Sequence, residues 1–209
     1  MSSIAYTLGN SLYLNITNRC SNSCTFCVRY KSDIFNKKNA LWLEKEPSLE
    51  ELKKEVPAPT KYKEIVFCGY GEPLTRLDIV TALSAYIREK GGRVRIDTNG
   101  QANLLHGRNV LPDLKGLVDS ISISLNAQNA ELYERLCHSD YGLEAYPAVL
   151  DFIKEAKKYI PNVTCTVLNM PKVIDIEACR KIAQEIGVDL RVREYYEEEY
   201  PELEKHIEK

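Results

Sequence analysis

The sequence of 209 residues lacks a long apolar run, and no segment approaches the roughly 20 consecutive apolar residues that a membrane helix needs. It also lacks an excess of either charge, because 28 Lys and Arg residues against 30 Asp and Glu residues give a formal net charge of −2. Proteins that coat nucleic acid or bind anionic membranes carry a basic surplus. The polar N-terminus has no secretory apolar core. We therefore expect a cytoplasmic protein without membrane contact, for which nucleic acid is not a general partner.

Cysteine, by contrast, occurs at seven positions. An odd number of cysteines, in a chain long enough to bury a core without crosslinks, argues against a disulfide scaffold. It indicates a reducing compartment and leaves some thiols for metal or redox chemistry. The composition is that of a globular protein, with 44% hydrophobic and 28% charged residues, and there are no repeats or linkers. We predict a single domain over residues 1–209.

Strand and helix patterns alternate along the chain. The predicted strands cover residues 12–17, 64–68, 93–98, 120–126, 163–168 and 190–193. Helices are predicted after a capping box at Ser48 and Glu51, through residues 79–87, near 109–115 and 131–136, after Pro147 and after Asp175. Strands that are joined by helices pair in parallel through right-handed crossovers. Because eight such units need about 250 residues, roughly six fit here. The predicted fold is α/β, a partial TIM-type barrel of about (βα)6, with an open sheet as the alternative.

Several predicted strands alternate apolar and polar residues, whereas parallel strands covered on both faces read as continuous apolar runs. The apolar members can face helices, and the polar members must then face a wet space. We expect this space to be a polar barrel lumen, although solvated edge strands would give the same pattern. The polar members include Arg95, Asp97, Ser122, Ser124, Arg191 and Arg193, so that part of the lumen would be cationic.

The strongest motif is the triplet Cys20, Cys24 and Cys27 on the loop after the first predicted strand. Thiolates select zinc, cuprous copper or iron–sulfur clusters. Structural zinc needs four ligands, and the next cysteine and the first histidine are distant, at Cys68 and His106. A four-iron cluster with three thiolates leaves one iron open for a substrate. The alternatives are incidental cysteines or a zinc site that is completed by a remote ligand.

The C-x3-C-x2-C spacing with Phe26 before the third cysteine resembles the signature of radical S-adenosylmethionine (SAM) enzymes. The resemblance extends over nearly the whole chain. The segment Gly69-Tyr70-Gly71-Glu72-Pro73 is similar to the Gly-Gly-Glu motif that binds the methionine amino group. The segments Asp97-Thr98-Asn99-Gly100 and Ser122-Ile123-Ser124-Leu125-Asn126 resemble the family's third- and fourth-strand motifs. The family's fifth-strand glycine motif is absent, because residues 167–171 read Val-Leu-Asn-Met-Pro.

The opening of the chain, residues 4–20, more closely resembles the TatD-associated radical SAM proteins. Genes for these small cytosolic proteins lie beside a gene for a TatD-type nuclease, and the subgroup has no settled substrate. The resemblance implies a TatD-type hydrolase as a candidate partner. It also implies an electron donor such as flavodoxin or ferredoxin.

The resemblance implies a [4Fe-4S] cluster held by Cys20, Cys24 and Cys27, with SAM bound to its open iron. Reductive cleavage of SAM would release a 5′-deoxyadenosyl radical, which abstracts hydrogen from an unidentified, small polar or anionic substrate. The cofactor supplies the difficult chemistry, and the protein positions, tunes and shields it.

The resemblance also implies roles for single residues. Glu72 would accept from the methionine ammonium, in a turn formed with Gly69 and Pro73, and Gly71 would permit close backbone approach. Phe26 would lie against adenine, unless it simply packs the loop. Ser124 and Asn126 would bind ribose or carboxylate, with a half-buried strand as the equal alternative. Asp97 and Asn99 are weaker candidates, because Asn-Gly is also an ordinary turn pair.

Other residues carry less specific signals. Arg19, Arg29 and Lys31 flank the cysteines. They either raise the potential of an anionic cluster or hold a carboxylate, or they are solvated loop charges, which is the reading we favour. We expect Cys68, Cys165 and Cys179 to lie in the core, Trp42 to be packed, and Cys137 to lie in a loop as the remaining thiol of interest. The acidic, tyrosine-rich segment 194–209 reads as a solvated tail, with a lid or a partner contact as the alternative.

Three other functions stay open at this point. The chain length and the Asp-Thr-Asn-Gly segment fit a ring contraction like that of 7-carboxy-7-deazaguanine synthase. A glycyl-radical-enzyme activase would need a partner protein with a glycyl loop. A non-catalytic zinc or redox-sensing module belongs to a different class and would produce no 5′-deoxyadenosine.

Overall fold

The structure, a computed structural model, describes residues 2–30, 34–35 and 38–194. Lys31 and the predicted acidic tail beyond Glu194 lie outside these residues. The described chain alternates strands and helices, as predicted. Its longest helix has 13 residues, and none of the helices described is long and apolar enough to cross a membrane.

A seven-stranded sheet forms the centre of the fold, in the order β1-β2-β5-β6-β7-β8-β9. β1 and β2 form an antiparallel hairpin, and every later strand pairs in parallel with its neighbour. The strands are β1 (Ala5–Leu8), β2 (Ser11–Leu14), β3 (Ile34–Phe35), β4 (Asn39–Ala40), β5 (Ile65–Phe67), β6 (Val94–Thr98), β7 (Ser120–Ser124), β8 (Asn162–Asn169) and β9 (Asp189–Glu194). β3 and β4 pair separately as a small ribbon. In the described part of the chain, β1 and β9 are the two edges of an open sheet.

Within the described residues, seven α-helices connect the strands: α1 (Leu49–Glu55), α2 (Leu77–Glu89), α3 (Ala102–His106), α4 (Leu111–Leu114), α5 (Ala130–Cys137), α6 (Ala145–Ala156) and α7 (Ile176–Ile186). The predicted capping box is confirmed, because the Ser48 side chain accepts from the Glu51 N–H and the Glu51 side chain accepts from the Ser48 N–H. Asp175 caps α7 as predicted, and Gly187 ends this helix in the left-handed conformation.

Several elements differ from the sequence prediction, among them the ribbon of β3 and β4, where no strand was predicted. The predicted first strand over residues 12–17 is wrong in its bounds, since the chain forms the hairpin of β1 and β2 around a turn in which Gly9 has φ +56°. The five-residue helix α3 was not predicted, because so short a segment carries too little periodicity. Because β1 is added to the six predicted strands, the sheet contains seven strands in the described part of the chain.

The predicted alternation of the strands is confirmed on the central strands. Ile121 and Ile123 are at most 1% exposed and belong to the main apolar core, which the helices cover. Ser122 and Ser124, on the opposite face of β7, line a cleft. The helices thus cover one face of the sheet, and the polar side chains are concentrated on the other.

Candidate functional site

A cleft of about 250 Å³ lies on the polar face of the sheet, toward the carboxyl ends of the parallel strands. This edge is where α/β sheets place their ligands. Side chains from β6, β7, β8 and β9 reach it, together with the loops after β2 and β5. Its lining includes Cys20, Cys24, Phe26, Cys27, Cys68, Gly69, Gly71, Glu72, Asp97, Asn99, Ser122, Ser124, Thr166, Arg191 and Arg193. Segments that are far apart in the sequence, including most predicted site residues, therefore meet in one place.

The cysteine loop is held in place by the end of α5. The backbone N–H of Ser23 donates to the Cys137 carbonyl at 2.9 Å, and that of Thr25 donates to the Leu136 carbonyl at 2.9 Å. A short bridge also pairs Asn22 with Ser139. The loop has no regular period of its own, so its shape comes from contacts made more than 100 residues away along the chain.

Cys20, Cys24 and Cys27 are free and half-buried. Burial and the nearby Glu72 carboxylate raise the pKa of the Cys20 thiol to about 12, and burial also raises the pKa of Cys27. Because a metal binds the thiolate, iron must displace a proton from each sulfur. Within residues 2–30, 34–35 and 38–194, no three Cys, His, Asp or Glu side chains converge on one point as a lone metal ion would require. All three thiols line the same cleft, and thiolate sulfur is the ligand that iron–sulfur clusters use, so the chemistry of these residues fits a cluster.

The Arg29 side chain binds two backbone carbonyl groups of the cysteine loop. Its guanidinium donates to the Asn22 carbonyl at 2.9 Å and to the Asn18 carbonyl at 3.3 Å, on either side of Cys20. It also lies over the Tyr30 ring, at 4.7 Å from the ring centroid. The reading of Arg29 as a solvated charge is therefore wrong, because this cation is bound within the loop. Arg19 matches that reading, since it forms an exposed ion pair with Glu46.

The glycine turn after β5 packs against the strand end that leads into the cysteine loop. A Cβ atom on Gly69 would lie 2.0 Å from Asn15 Oδ1, and one on Gly71 would lie 2.4 Å from the Thr17 carbonyl oxygen. The Glu72 N–H donates to the Arg19 carbonyl at 2.7 Å. The two glycines thus permit a close approach between the chain's own backbone segments.

Replacing Gly71 by Ala is expected to destabilise the protein by about 2 kcal/mol, because the atoms that the new methyl group meets belong to the backbone and cannot rotate away. Gly116→Ala is the control, since Gly116 has φ +76° and open space around it and should cost only about 1 kcal/mol. Urea unfolding of both variants measures the difference. An equal cost at the two positions would show that the close approach is not important.

Glu72 is 4% exposed and lies at the centre of the site. One carboxylate oxygen accepts from Thr98 Oγ1 at 2.8 Å and from the Leu74 N–H at 3.0 Å, and the other accepts from the Asn99 N–H at 2.7 Å. Burial raises the pKa of this carboxyl to about 7. Pro73 begins the short 3-10 helix that Glu72 caps. The carboxylate is thus fixed in direction, and the oxygen that binds the Asn99 N–H keeps one acceptor position for a cation.

The Asp97-Thr98-Asn99-Gly100 segment, at the end of β6, also lies at the cleft. The Asn99 side chain donates to Ser21 Oγ at 3.0 Å and lies 3.8 Å from Cys20 Sγ. Asp97 lies on the cleft wall and pairs with Arg95 at 2.7 Å. The Asn-Gly pair makes the expected turn, in which Gly100 has φ +80°. Its asparagine also connects β6 to the cysteine loop.

Asn126 differs in placement from the other motif residues. Ser124 lines the cleft, whereas Asn126 is 3% exposed, has φ +58° and is not among the lining residues. Its Nδ2 donates to Cys137 Sγ at 3.4 Å, while its Oδ1 is buried without a partner among the described residues. Asn126 therefore contacts the last residue of α5, which also holds the cysteine loop.

The structure corrects three expectations for other side chains. Cys68 lines the cleft instead of lying in the core, and burial raises the pKa of its thiol. Cys137 is the last residue of α5 and is fully buried, with its thiol against that of Cys24, so it is not a loop cysteine. Trp42 is 47% exposed and only partly packed, near Tyr70. Cys165 and Cys179 are buried as predicted.

A polar network behind the cysteine loop was missed in the sequence. Gln101 accepts from Ser21 Oγ at 2.8 Å and donates to the Asn22 side chain at 2.8 Å and to Tyr133 Oη at 2.9 Å. These four residues are nearly completely buried, and an unpaired member would be costly. Their spacing in the sequence carries no signal, since the partners lie up to 111 residues apart.

The described fold and site define an α/β protein with three thiols and a buried carboxylate in a cleft at the strand ends. The chain belongs to the radical SAM superfamily, whose family model matches residues 14–186. Members of this superfamily are enzymes that use a [4Fe-4S] cluster and S-adenosylmethionine, and these are the cofactors of this enzyme.

One curated protein is similar to this chain in sequence, and several solved structures share its fold. The chain is 26% identical over 192 residues to a Methanocaldococcus jannaschii protein named as a candidate glycyl-radical enzyme activating enzyme, covering 88% of this chain and 75% of the relative. Streptococcus suis SuiB bound to its precursor peptide SuiA shares the fold with a TM-score of 0.64 and 15% identity. TYW1 with a bound lysine-pyruvate adduct shares it with a TM-score of 0.62 and 14% identity. The chain covers 92% and 90% of its own length in these two matches, but only 41% of SuiB and 65% of TYW1.

Proposed function

We propose that this enzyme holds its cluster through Cys20, Cys24 and Cys27, binds SAM in the cleft and abstracts hydrogen from a small polar or anionic substrate. The observation that supports it most is the meeting of the three thiols, the Glu72 carboxylate and the polar strand faces in one cleft. When bound, the cluster supplies the electron that cleaves SAM to methionine and a 5′-deoxyadenosyl radical. In this interpretation the sheet is a partial TIM-type barrel, and the cleft is its polar lumen.

The chain's own residues position the reactants. Glu72 is fixed by three donors and would accept from the methionine ammonium. Phe26 is 9% exposed on the cleft wall, where it offers an apolar surface to adenine. Ser124 offers a hydroxyl to ribose or carboxylate, and Gly69, Gly71 and Pro73 shape the turn that holds Glu72.

A polar or anionic substrate is supported by the lining of the cleft. Beyond the groups assigned to SAM, its wall carries hydroxyls and guanidinium groups. We treat residues 1–209 as one cytoplasmic radical SAM domain of the TatD-associated subgroup, with an electron donor such as flavodoxin or ferredoxin. A TatD-type hydrolase is then the candidate partner.

Activation of a glycyl-radical enzyme is the second candidate function. It is supported by the name of the M. jannaschii relative. Its substrate would be a glycine in a partner protein, so it requires that the cleft mouth admit a polypeptide loop.

Anaerobic reconstitution with iron and sulfide, followed by addition of SAM and dithionite, tests the proposal. About four irons per chain, a thiolate-to-iron absorption band and formation of 5′-deoxyadenosine are expected. Stoichiometric zinc without 5′-deoxyadenosine would indicate a zinc module and reject the proposed function. Incubation of the active enzyme with cell extract in deuterated solvent, followed by mass spectrometry, separates a labelled small molecule from a labelled protein glycine.

A further inference from the structure

We propose that Arg191 and Arg193 form the receptor for an oxyanion, a carboxylate or a phosphate, on the substrate of this enzyme. The proposal rests on the proposed function and adds the substrate class and the residues that recognise it. It places the anion-binding groups on β9, at the opposite edge of the parallel sheet from the cysteine loop.

The two arginines share one face of β9. They alternate with Leu190 and Val192, which are half-buried against the apolar core, so both guanidinium groups are directed to the cleft side. The Cα atoms of alternate residues in a strand lie about 7 Å apart. Two arginine side chains at this separation are long enough to contact the same ligand. The backbone thus holds a pair of cations at the cleft wall.

Both arginines are exposed, and neither forms an ion pair with the described part of the protein. Arg95 uses the nearest carboxylates, since it pairs with Glu64 at 3.1 Å and with Asp97 at 2.7 Å. Arg191 makes a long contact of 3.5 Å to Ser122 Oγ. Within residues 2–30, 34–35 and 38–194, the Arg193 guanidinium makes no hydrogen bond or ion pair, and the Arg191 guanidinium makes no ion pair.

Both guanidinium groups interact electrostatically with ionisable side chains that line the cleft. Arg191 and Arg193 each favour the charged form of Asp97, and Arg193 also favours the thiolate of Cys68. Arg95 already binds Asp97 and Glu64, and Glu72 is held by three donors of its own, so none of these carboxylates forms an ion pair with Arg191 or Arg193. An anionic ligand would supply the ion-pair partner that both arginines lack within the described residues.

Hydroxyl groups lie beside the arginines in the order set by the sheet. Arg191 is paired with Thr166 of β8, which is paired with Ser124 of β7. A guanidinium fork flanked by hydroxyl donors recognises carboxylate and phosphate oxygens. This arrangement does not duplicate the ammonium acceptor Glu72, because β6, β7 and β8 lie between the turn that holds Glu72 and β9.

The test uses the reconstituted holoenzyme and three probes at constant ionic strength: malonate, inorganic phosphate and acetate. Isothermal titration should show binding of malonate or phosphate to the wild type. The probe that binds more tightly shows whether the site prefers a carboxylate or a phosphate. In the R191Q/R193Q double variant, the dissociation constant of that probe should rise about tenfold or more, because charge-assisted hydrogen bonds are lost. Arg180→Gln on the exposed side of α7 is the matched control and should not change it.

Several results would overturn the inference. It fails if neither malonate nor phosphate binds the wild type, or if the double variant binds the probe as tightly as the Arg180→Gln control. It also fails if SAM affinity falls as much as probe affinity, since the arginines would then serve the cosubstrate carboxylate. Arg193→Lys, which keeps the charge but loses the fork, should weaken binding less than Arg193→Gln. Absence of 5′-deoxyadenosine from the wild type rejects the proposed function without affecting the binding result.

Discussion

Cys24→Ala is expected to abolish assembly of a four-iron cluster and, with it, formation of 5′-deoxyadenosine. Cys24 lies between the two other thiols in the triplet, on the same cleft wall. Removing one of the three thiolates leaves only two sulfur ligands for four irons. Two irons then have no protein ligand, and the cluster is not held. Iron content, visible absorption and 5′-deoxyadenosine after anaerobic reconstitution measure the effect.

Cys179→Ala is the matched control for the loss of iron. Cys179 is fully buried on α7, away from the cleft lining, so its replacement leaves a small void and should cost of the order of 1 kcal/mol. This variant should load iron like the wild type. If Cys24→Ala also retained four irons and turned over SAM, the assignment of Cys24 as a ligand would be wrong.

Glu72→Gln is expected to weaken SAM binding about 10- to 100-fold while leaving the iron content intact. A hydrogen bond to a charged group contributes about 1.5–3 kcal/mol, which corresponds to that range in a dissociation constant. Gln is preferred to Ala because it keeps one acceptor for the donors on Thr98, Leu74 and Asn99. Glu51→Gln in the α1 capping box serves as the control for loss of a carboxylate outside the cleft.

The pH dependence gives a second test of Glu72. Burial raises the pKa of its carboxyl from 4.5 to about 7 in the protein without SAM, so the group takes up a proton as the pH falls below 7. Because the ammonium needs the carboxylate form, SAM affinity should fall by up to about tenfold per pH unit below that value. Between pH 4.5 and 7 the folded state binds this proton more tightly than the unfolded state, so the contribution of Glu72 to stability decreases as the pH rises. In Glu72→Gln both dependences should disappear, and a wild-type SAM affinity that stays flat from pH 8 to 5.5 would contradict the assigned role.

Local chemistry made a large part of the fold predictable. The capping box of Ser48 and Glu51 and the cap at Asp175 act over a few residues, and each was found where the sequence placed it. The alternation in β7 identified its cleft face, because successive side chains of a strand point to opposite sides. The β1–β2 hairpin was missed because its strands have four residues each, too few for a clear period.

The candidate site was predictable to the extent that its motifs are contiguous. The triplet, the glycine turn and the Asp-Thr-Asn-Gly segment are short enough to identify in the sequence, and the structure brings all three to the cleft. The roles of Arg29 and Gln101 were not predictable, since each depends on a folded loop and on partners elsewhere in the chain. Cys68 was misplaced because the end of a short buried strand gives no indication of which side its thiol faces.

Residue patterns and contiguous motifs in the sequence predicted an α/β protein with three cysteines in one loop, which we propose as the cluster ligands. Tertiary structure decided which groups share the cleft: a carboxylate after β5, an asparagine after β6 and two arginines on β9. It also decided that Arg95 is neutralised while Arg191 and Arg193 form no ion pair within the described chain. Charge pairing depends on distances between strands, and those distances exist only once parallel crossovers have set the order and register of the sheet.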